Sequence, residues 1–154
     1  MTKPKIIVIA GPTASGKTSL GVELAKKING EVISSDSMQI YKDMTIGTAK
    51  PTSAELEEIP HHLIDFVSPD ERYSVARFKK DAEQKIKEIL SRNKRPIIVG
   101  GTGLYIDSLV YGIEYPEIEY NKEYREKLMK EAETPEGLSK LYEDAKKNRS
   151  RSNR

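Results

Sequence analysis

Short continuous apolar runs alternate along this chain with stretches in which apolar residues recur every four positions, a pattern of strands interleaved with helices. Residues 5–10 (KIIVIA) are unbroken apolar after the first lysine and end at glycine, which predicts a buried parallel strand. Leu20, Leu24 and Ile28 then recur at helical spacing, predicting a helix from residue 16 or 17 to 28 that stops at Asn29-Gly30. Residues 31–35 (EVISS) read as a second short strand leading into Asp36. Residues 41–58 read as loop, punctuated by Gly47, Pro51 and Ser53, and residues 61–67 as a short extended segment. Phe78, Ala82, Ile86 and Leu90 predict a helix over 74–93 with Ser74 as its N-cap. Residues 96–99 (PIIV) read as a buried strand, Gly100, Gly101 and Gly103 as a tight turn, and 104–111 as a helix. After Pro116 charged helix formers take over, with Tyr124, Leu128 and Ala132 as a thin apolar stripe. A last helix over 135–147 carries Leu138, Leu141 and Tyr142, and no internal repeat is present. The fold class expected is α/β, with a parallel sheet core of the P-loop NTPase type followed by the start of a helical insertion.

Composition changes this picture little. At 154 residues the chain suits one core of ordinary size. No apolar run nears membrane-span length and the N-terminus lacks an extended signal-peptide core, so no membrane role is expected. Cysteine is absent, which excludes disulfides and thiolate chemistry and makes a reducing cytoplasm the expected setting. The net charge of +2 hints at a nucleic-acid partner. However, Lys146, Lys147, Arg149, Arg151 and Arg154 put five cations and no acid into the last nine residues. Without them, 21 cations face 24 acids, so the basic character belongs to the tail.

The sharpest chemical signal is Gly11-Pro12-Thr13-Ala14-Ser15-Gly16-Lys17-Thr18, a complete G-x-x-x-x-G-K-[ST] motif set between a predicted strand and a predicted helix. A chance match in such a chain is on the order of one in 200. Glycines let successive backbone N–H groups turn toward phosphate oxygens, and the helix N-terminus adds partial positive charge. Lys17 supplies a mobile cation for the terminal phosphate, and the Thr18 hydroxyl is a ligand for Mg²⁺, the one cofactor expected. This motif identifies a bound group and leaves the reaction open. Asp36-Ser37-Met38-Gln39 follows the second strand, where Asp36 reads evenly as a helix cap or as a functional carboxylate, either metal ligand or general base. Thr102 in Gly100-Gly101-Thr102-Gly103 reads either as an N-cap or as a hydroxyl aimed into a cleft. His61 and His62 are adjacent, so a strand points them to opposite faces, and no third metal ligand is spaced nearby.

Taken together, GPTASGKT, ISSDSMQIYKDMTIGTAKP, PHHLID, ERYSVARF and VGGTGLY, in this order, resemble the bacterial tRNA dimethylallyltransferase family over residues 5 to about 146. The resemblance implies transfer of a dimethylallyl group from dimethylallyl diphosphate to N6 of adenine 37, beside the anticodon, in tRNAs reading codons that begin with U. It implies that residues 11–18 hold the diphosphate, with Lys17 and Thr18-bound Mg²⁺ neutralising its charge. It assigns catalysis to Asp36, as the base for the adenine amine, together with Thr102 and Lys17. Contacts to tRNA fall on Asp36, Ser37, Met38, Gln39, Thr102 and Arg125, and the implied partner is the anticodon stem-loop. The adenine has to leave the loop stack to reach such a cleft. Family members are expected to be cytoplasmic monomers.

The same resemblance implies a core over 1–115, the start of a tRNA-binding helical insertion over 116–147, and a basic tail over 148–154 foreign to the family. Full-length relatives run to about twice this length, so the chain is expected to be truncated and weak or inactive alone. One extra base in the lysine codons would turn the usual I-D-P-E-A into the observed tail, so a frameshift is the expected origin. The competing readings are an isopentenyltransferase acting on free adenine nucleotides, a P-loop nucleotide kinase, and a non-enzymatic fragment that only binds.

Overall fold

The computed structural model describes residues 5–48, 50–56, 59–115 and 121–152. They divide into two compact units, Met1–Glu117 and Ile118–Arg154. The expected change of composition at Pro116 lies outside the described residues, as do residues 153 and 154 of the tail.

The first unit is a four-stranded, wholly parallel sheet with helices on both faces. Its strands are β1 (Ile7–Ala10), β2 (Gly30–Ser34), β3 (His61–His62) and β4 (Arg95–Gly100), in the order β1-β4-β2-β3. Between them run α1 (Lys17–Ile28), the single turn α2 (Ser53–Leu56) and α3 (Val75–Ser91), with α4 (Gly103–Val110) after β4. Period-two alternation of the strand residues divides the apolar core. Val32, Ile97 and Val99 join Ala25 under α1, while Ile33 and Ile98 join Phe78, Ala82, Ile86 and Tyr105 under α3 and α4. Phe78 and Tyr105 stack with ring centroids 4.1 Å apart, locking α3 to α4.

Several expectations need correction in detail. The first strand is not buried: it forms the sheet edge, and Ile7 is 39% exposed. The face of α1 that meets the sheet is Gly21, Val22 and Ala25, while Leu20 is exposed and Leu24 and Ile28 are half-buried. The reason is steric. A Cβ at Gly21 would lie 2.9 Å from a Val99 methyl, so the helix sits against β4 on its smallest residues. Extended structure after the third strand stops at His62, because Leu63 and Asp65 adopt positive φ angles of 59° and 58°. Within the expected loop, α2 forms on a capping box: the Glu55 carboxylate accepts from Thr52 N at 2.8 Å, and Glu55 N donates to Thr52 Oγ1. The long helix behaves as expected, with Ser74 Oγ accepting from Arg77 N and Phe78, Ala82 and Ile86 buried.

The second unit is a helical pair, α5 (Lys122–Glu131) and α6 (Pro135–Ser152). Asn121 caps α5 by accepting from Tyr124 N at 2.8 Å, and Pro135 opens α6, where its missing N–H costs nothing. Lys140 reaches Glu131 at 2.8 Å to join the two helices. Leu128 and Leu141 are half-buried, no residue of α5 is fully buried, and Tyr124, Leu138 and Tyr142 are exposed. No helix among the described residues is long and apolar enough to cross a membrane.

Candidate active site

All strands run the same way, so the turns after β1, β4 and β2 emerge side by side at the carboxyl end of the sheet. The turn after β1 is the glycine-bounded cradle. Gly16 enters α1 with φ +79° and Ala14 has φ +61°, so the loop curls through left-handed backbone. At Gly11 a Cβ would meet Ser15 Oγ at 3.2 Å. Ser15 Oγ donates to the Pro12 carbonyl at 2.8 Å, and the Lys17 ammonium folds across the loop onto that same carbonyl. No acidic residue occupies the first turn of α1, which leaves its N-terminal dipole available to an anion.

The turn after β4 is laced to the one after β2. Ser35 N donates to Val99 O at 2.8 Å, and Thr102 N donates to Ser35 O at 3.1 Å. Thr102 occupies the N-cap position of α4 but makes no side-chain cap bond. Its Oγ1 instead accepts from Ser37 N at 3.0 Å, across 65 residues of sequence. Asp36 therefore sits between two neighbours whose backbones are both tied to β4 and its turn. Its Oδ1 accepts from Met38 N at 2.8 Å and Gln39 N at 3.3 Å, so the carboxylate caps the 36–39 turn. A carboxylate has two oxygens; Oδ2 makes no hydrogen bond among the described residues. Cap and chemistry are thus compatible at Asp36. Gln39 reaches back toward Ser34 Oγ and the Thr48 carbonyl, while Met38 is exposed. Gly101 closes the ring, since a Cβ there would lie 3.2 Å from the Gly11 carbonyl of the cradle.

Two residues to which the sequence assigned no site role control this arrangement. At Gly100 a Cβ would lie 2.6 Å from both the carbonyl carbon and oxygen of Ser35, so only glycine lets β4 and the Asp36 turn approach so closely. Ser35 is fully buried, and its hydroxyl has no hydrogen-bond partner among the described residues. Beneath the turn, burial foremost, with Tyr41 and Asp36 nearby, pushes the Tyr105 phenol up to about 12. Tyr105 therefore stays neutral and packs as an apolar plate. Among the sequence candidates, the cradle, Asp36, Ser37 and Thr102 come together here. Arg125 stands exposed on α5, in the second unit.

The two histidines diverge. His61 Nδ1 pairs with the Ile59 carbonyl at 2.8 Å, and His62 Nε2 with Glu31 at 2.7 Å. No group of three or more His, Asp or Glu suited to a metal occurs among the described residues. Mg²⁺ commonly takes only one or two protein oxygens, completing its shell with phosphate oxygens and water. Half-buried Thr18 at the start of α1 fits that donor set.

A glycine-bounded cradle at the carboxyl edge of a parallel sheet, with a pinned carboxylate in the neighbouring turn, defines an α/β domain of the P-loop type. A family model described as IPP transferase matches residues 39–153. The tRNA dimethylallyltransferase of Caldanaerobacter subterraneus subsp. tengcongensis is 57% identical over 142 residues, which cover 92% of this chain and 45% of that protein. Its counterpart from Acetivibrio thermocellus is 60% identical over 127 residues, 82% of this chain and 41% of that one. The crystal structure of full-length tRNA isopentenylpyrophosphate transferase from Bacillus halodurans superposes with a TM-score of 0.72 at 45% identity, over 94% of this chain and 48% of that chain. A eukaryotic dimethylallyltransferase acting on tRNA superposes with a TM-score of 0.71 at 40% identity, over 86% and 33% of the two chains. This chain belongs to the IPP transferase family and spans about half the length of the relatives it matches.

Proposed function

We propose that the site serves prenyl transfer from dimethylallyl diphosphate to N6 of adenine 37 in tRNA. The observation that carries this reading is Asp36, held between Ser35 and Ser37 beside the cradle with one carboxylate oxygen uncommitted. The cradle binds the diphosphate through its N–H groups, the α1 N-terminus and Lys17. Mg²⁺ held by the Thr18 hydroxyl would supply further charge neutralisation for the leaving group. The N6 lone pair forms a bond to C1 of the dimethylallyl group as the C1–O bond breaks. The bonding pair departs with diphosphate, and the N6 proton passes to the Asp36 carboxylate. Ser37, Met38 and Gln39 line the adenine, Thr102 contacts the target nucleotide while positioning Ser37, and Arg125 contacts the anticodon stem-loop.

The test is equilibrium binding of dimethylallyl diphosphate to the purified chain and to Lys17→Ala, with ATP as competitor. Loss of the lysine contact is expected to weaken donor binding by roughly tenfold or more, about 1.4 kcal/mol. Equal affinity of both proteins, or brisk turnover of ATP with phosphoryl transfer, would overturn the reading.

A further inference from the structure

Ile46 is 97% exposed, against 72% for Tyr111, the next most exposed large apolar side chain among the described residues. A lone apolar side chain at a surface ordinarily calls for no explanation. Here, however, the turn that carries it is fixed from within. The 41–50 loop is closed at its base by Lys50, whose side chain is 6% exposed. Its ammonium donates to the Tyr41 carbonyl at 2.5 Å and to the Asp65 carboxylate at 2.6 Å. Nearer the tip, buried Thr48 donates its hydroxyl to the Met44 carbonyl at 2.5 Å. Positive φ angles at Asp43 (59°) and Gly47 (78°) turn the backbone on either side of residues 44–46. A buried ammonium and a buried hydroxyl thus hold the turn, while the side chain at its tip meets water. The β-branch of Ile46 stiffens that side chain further. The turn is also tied to the candidate site. Gln39 Nε2 donates to the Thr48 carbonyl at 3.4 Å, and Gln39 N donates to Asp36 Oδ1 at 3.3 Å. Ile46 is two residues from Thr48, so their Cα atoms lie within about 7.6 Å of each other. Met38 stands 46% exposed on the Asp36 turn, and Lys42 is exposed at the foot of the loop beside Asp43, the one acid among residues 41–50.

An amine stacked inside an RNA loop is out of reach of a carboxylate, so its base has to leave the stack, and the gap left behind favours its return. Proteins that part stacked bases hold them apart with an apolar side chain. Resting on the prenyl-transfer reading above, we propose that Ile46 is such a wedge, entering the anticodon-loop stack at the place the target adenine vacates. The partner is a single-stranded RNA loop, whose base faces cover Ile46 and whose phosphate is the anion for Lys42. Stiffness matters, because a wedge on a yielding turn would follow the bases instead of parting them. Contact with the bases also withdraws from water the large apolar side chain that the free chain exposes most among the described residues.

The test titrates the 154-residue chain into an anticodon stem-loop RNA carrying 2-aminopurine at the target position, whose fluorescence rises as the base leaves the stack. Wild type and Ile46→Leu should both raise it, whereas Ile46→Ala should lower the flipped population roughly tenfold. Thr45→Ala, at the exposed neighbour, should match wild type, and none of these substitutions should shift the urea midpoint. A linear RNA of the same loop sequence has no closed stack to part, so Ile46→Ala should bind it as tightly as wild type does. A wild-type chain that leaves the fluorescence unchanged overturns the proposal. So does an Ile46→Ala response equal to wild type, or an equal loss of affinity for linear and looped RNA, which would make Ile46 an ordinary contact. Weakened binding of dimethylallyl diphosphate by Ile46→Ala would assign the side chain to the donor and equally overturn it. Lys17-dependent donor binding is measured in parallel. Where it holds and the fluorescence arms fail, the wedge alone falls; where it is absent, the prenyl-transfer reading itself fails.

Discussion

The two ends of this one sheet are held together by opposite means. At the amino end, the buried Glu31 carboxylate collects His62 at 2.7 Å, Arg92 at 2.7 Å and Lys94 at 2.8 Å, drawing β3 and the loop after α3 onto β2. Burial alone would raise its pKa, but hydrogen bonds from Lys94, His62 and Arg92 hold it down at about 2. At the carboxyl end no such ion cluster occurs among the described residues. Backbone hydrogen bonds, glycines and one threonine hydroxyl hold the loops, and Asp36 and Lys17 remain uncommitted to any ion pair among the described residues. The amino end commits its charges to holding strands together; the carboxyl end leaves Asp36 and Lys17 outside ion pairs among the described residues. The Glu31 cluster of ionisable groups is therefore structural, and the end without such a cluster among the described residues is the candidate site.

Substitutions at the two ends should separate these roles. The largest effect belongs to Glu31→Gln, which strands three cationic or polar partners and should lower unfolding stability by up to about 3 kcal/mol in urea titrations. The same carboxylate sets an acid limit. Its folded pKa lies below the unfolded value, so its contribution is complete above about pH 4.5 and is lost as pH falls toward 2. Glu31→Gln should flatten the stability profile across that window; an unchanged profile would remove the cluster from its clamping role. Next, Gly100→Ala should cost roughly 1–3 kcal/mol, because its methyl collides with Ser35 backbone. It should also disorder the Asp36 turn, read as faster hydrogen exchange at Met38 and Gln39. The smallest effect is expected for Asp36→Asn, which keeps an oxygen for Met38 N and should stay within about 0.5 kcal/mol of wild type. A large destabilisation there would make Asp36 a structural group after all and erase the contrast between the two ends.

The second unit shows a different balance. Its helices carry capping and ion pairs at their ends but bury no residue of α5 fully, and Tyr124, Leu138 and Tyr142 stay exposed. Its apolar stripe is too thin to supply much burial energy, in keeping with its charge-rich sequence.

What the chain reveals unaided is whatever local backbone chemistry dictates. The cradle needs eight contiguous residues, so Gly11 to Thr18 announces itself. The α3 helix was legible for the same reason, since Ser74 and the Phe78-Ala82-Ile86 repeat act within one element. The capping box Thr52–Glu55 was equally local and readable, although the surrounding loop signals masked it. Tertiary structure alone decided the rest. Placing β4 between β1 and β2 is what carries Thr102 to Ser37 and Gly101 to Gly11, contacts across 65 and 90 residues that no periodicity encodes. The Glu31 cluster likewise gathers residues 31, 62, 92 and 94 from three separate segments. Even the orientation of α1 waited on its neighbour, because helix period fixes which residues share a face, while close approach to Val99 selects the face of Gly21 and Ala25.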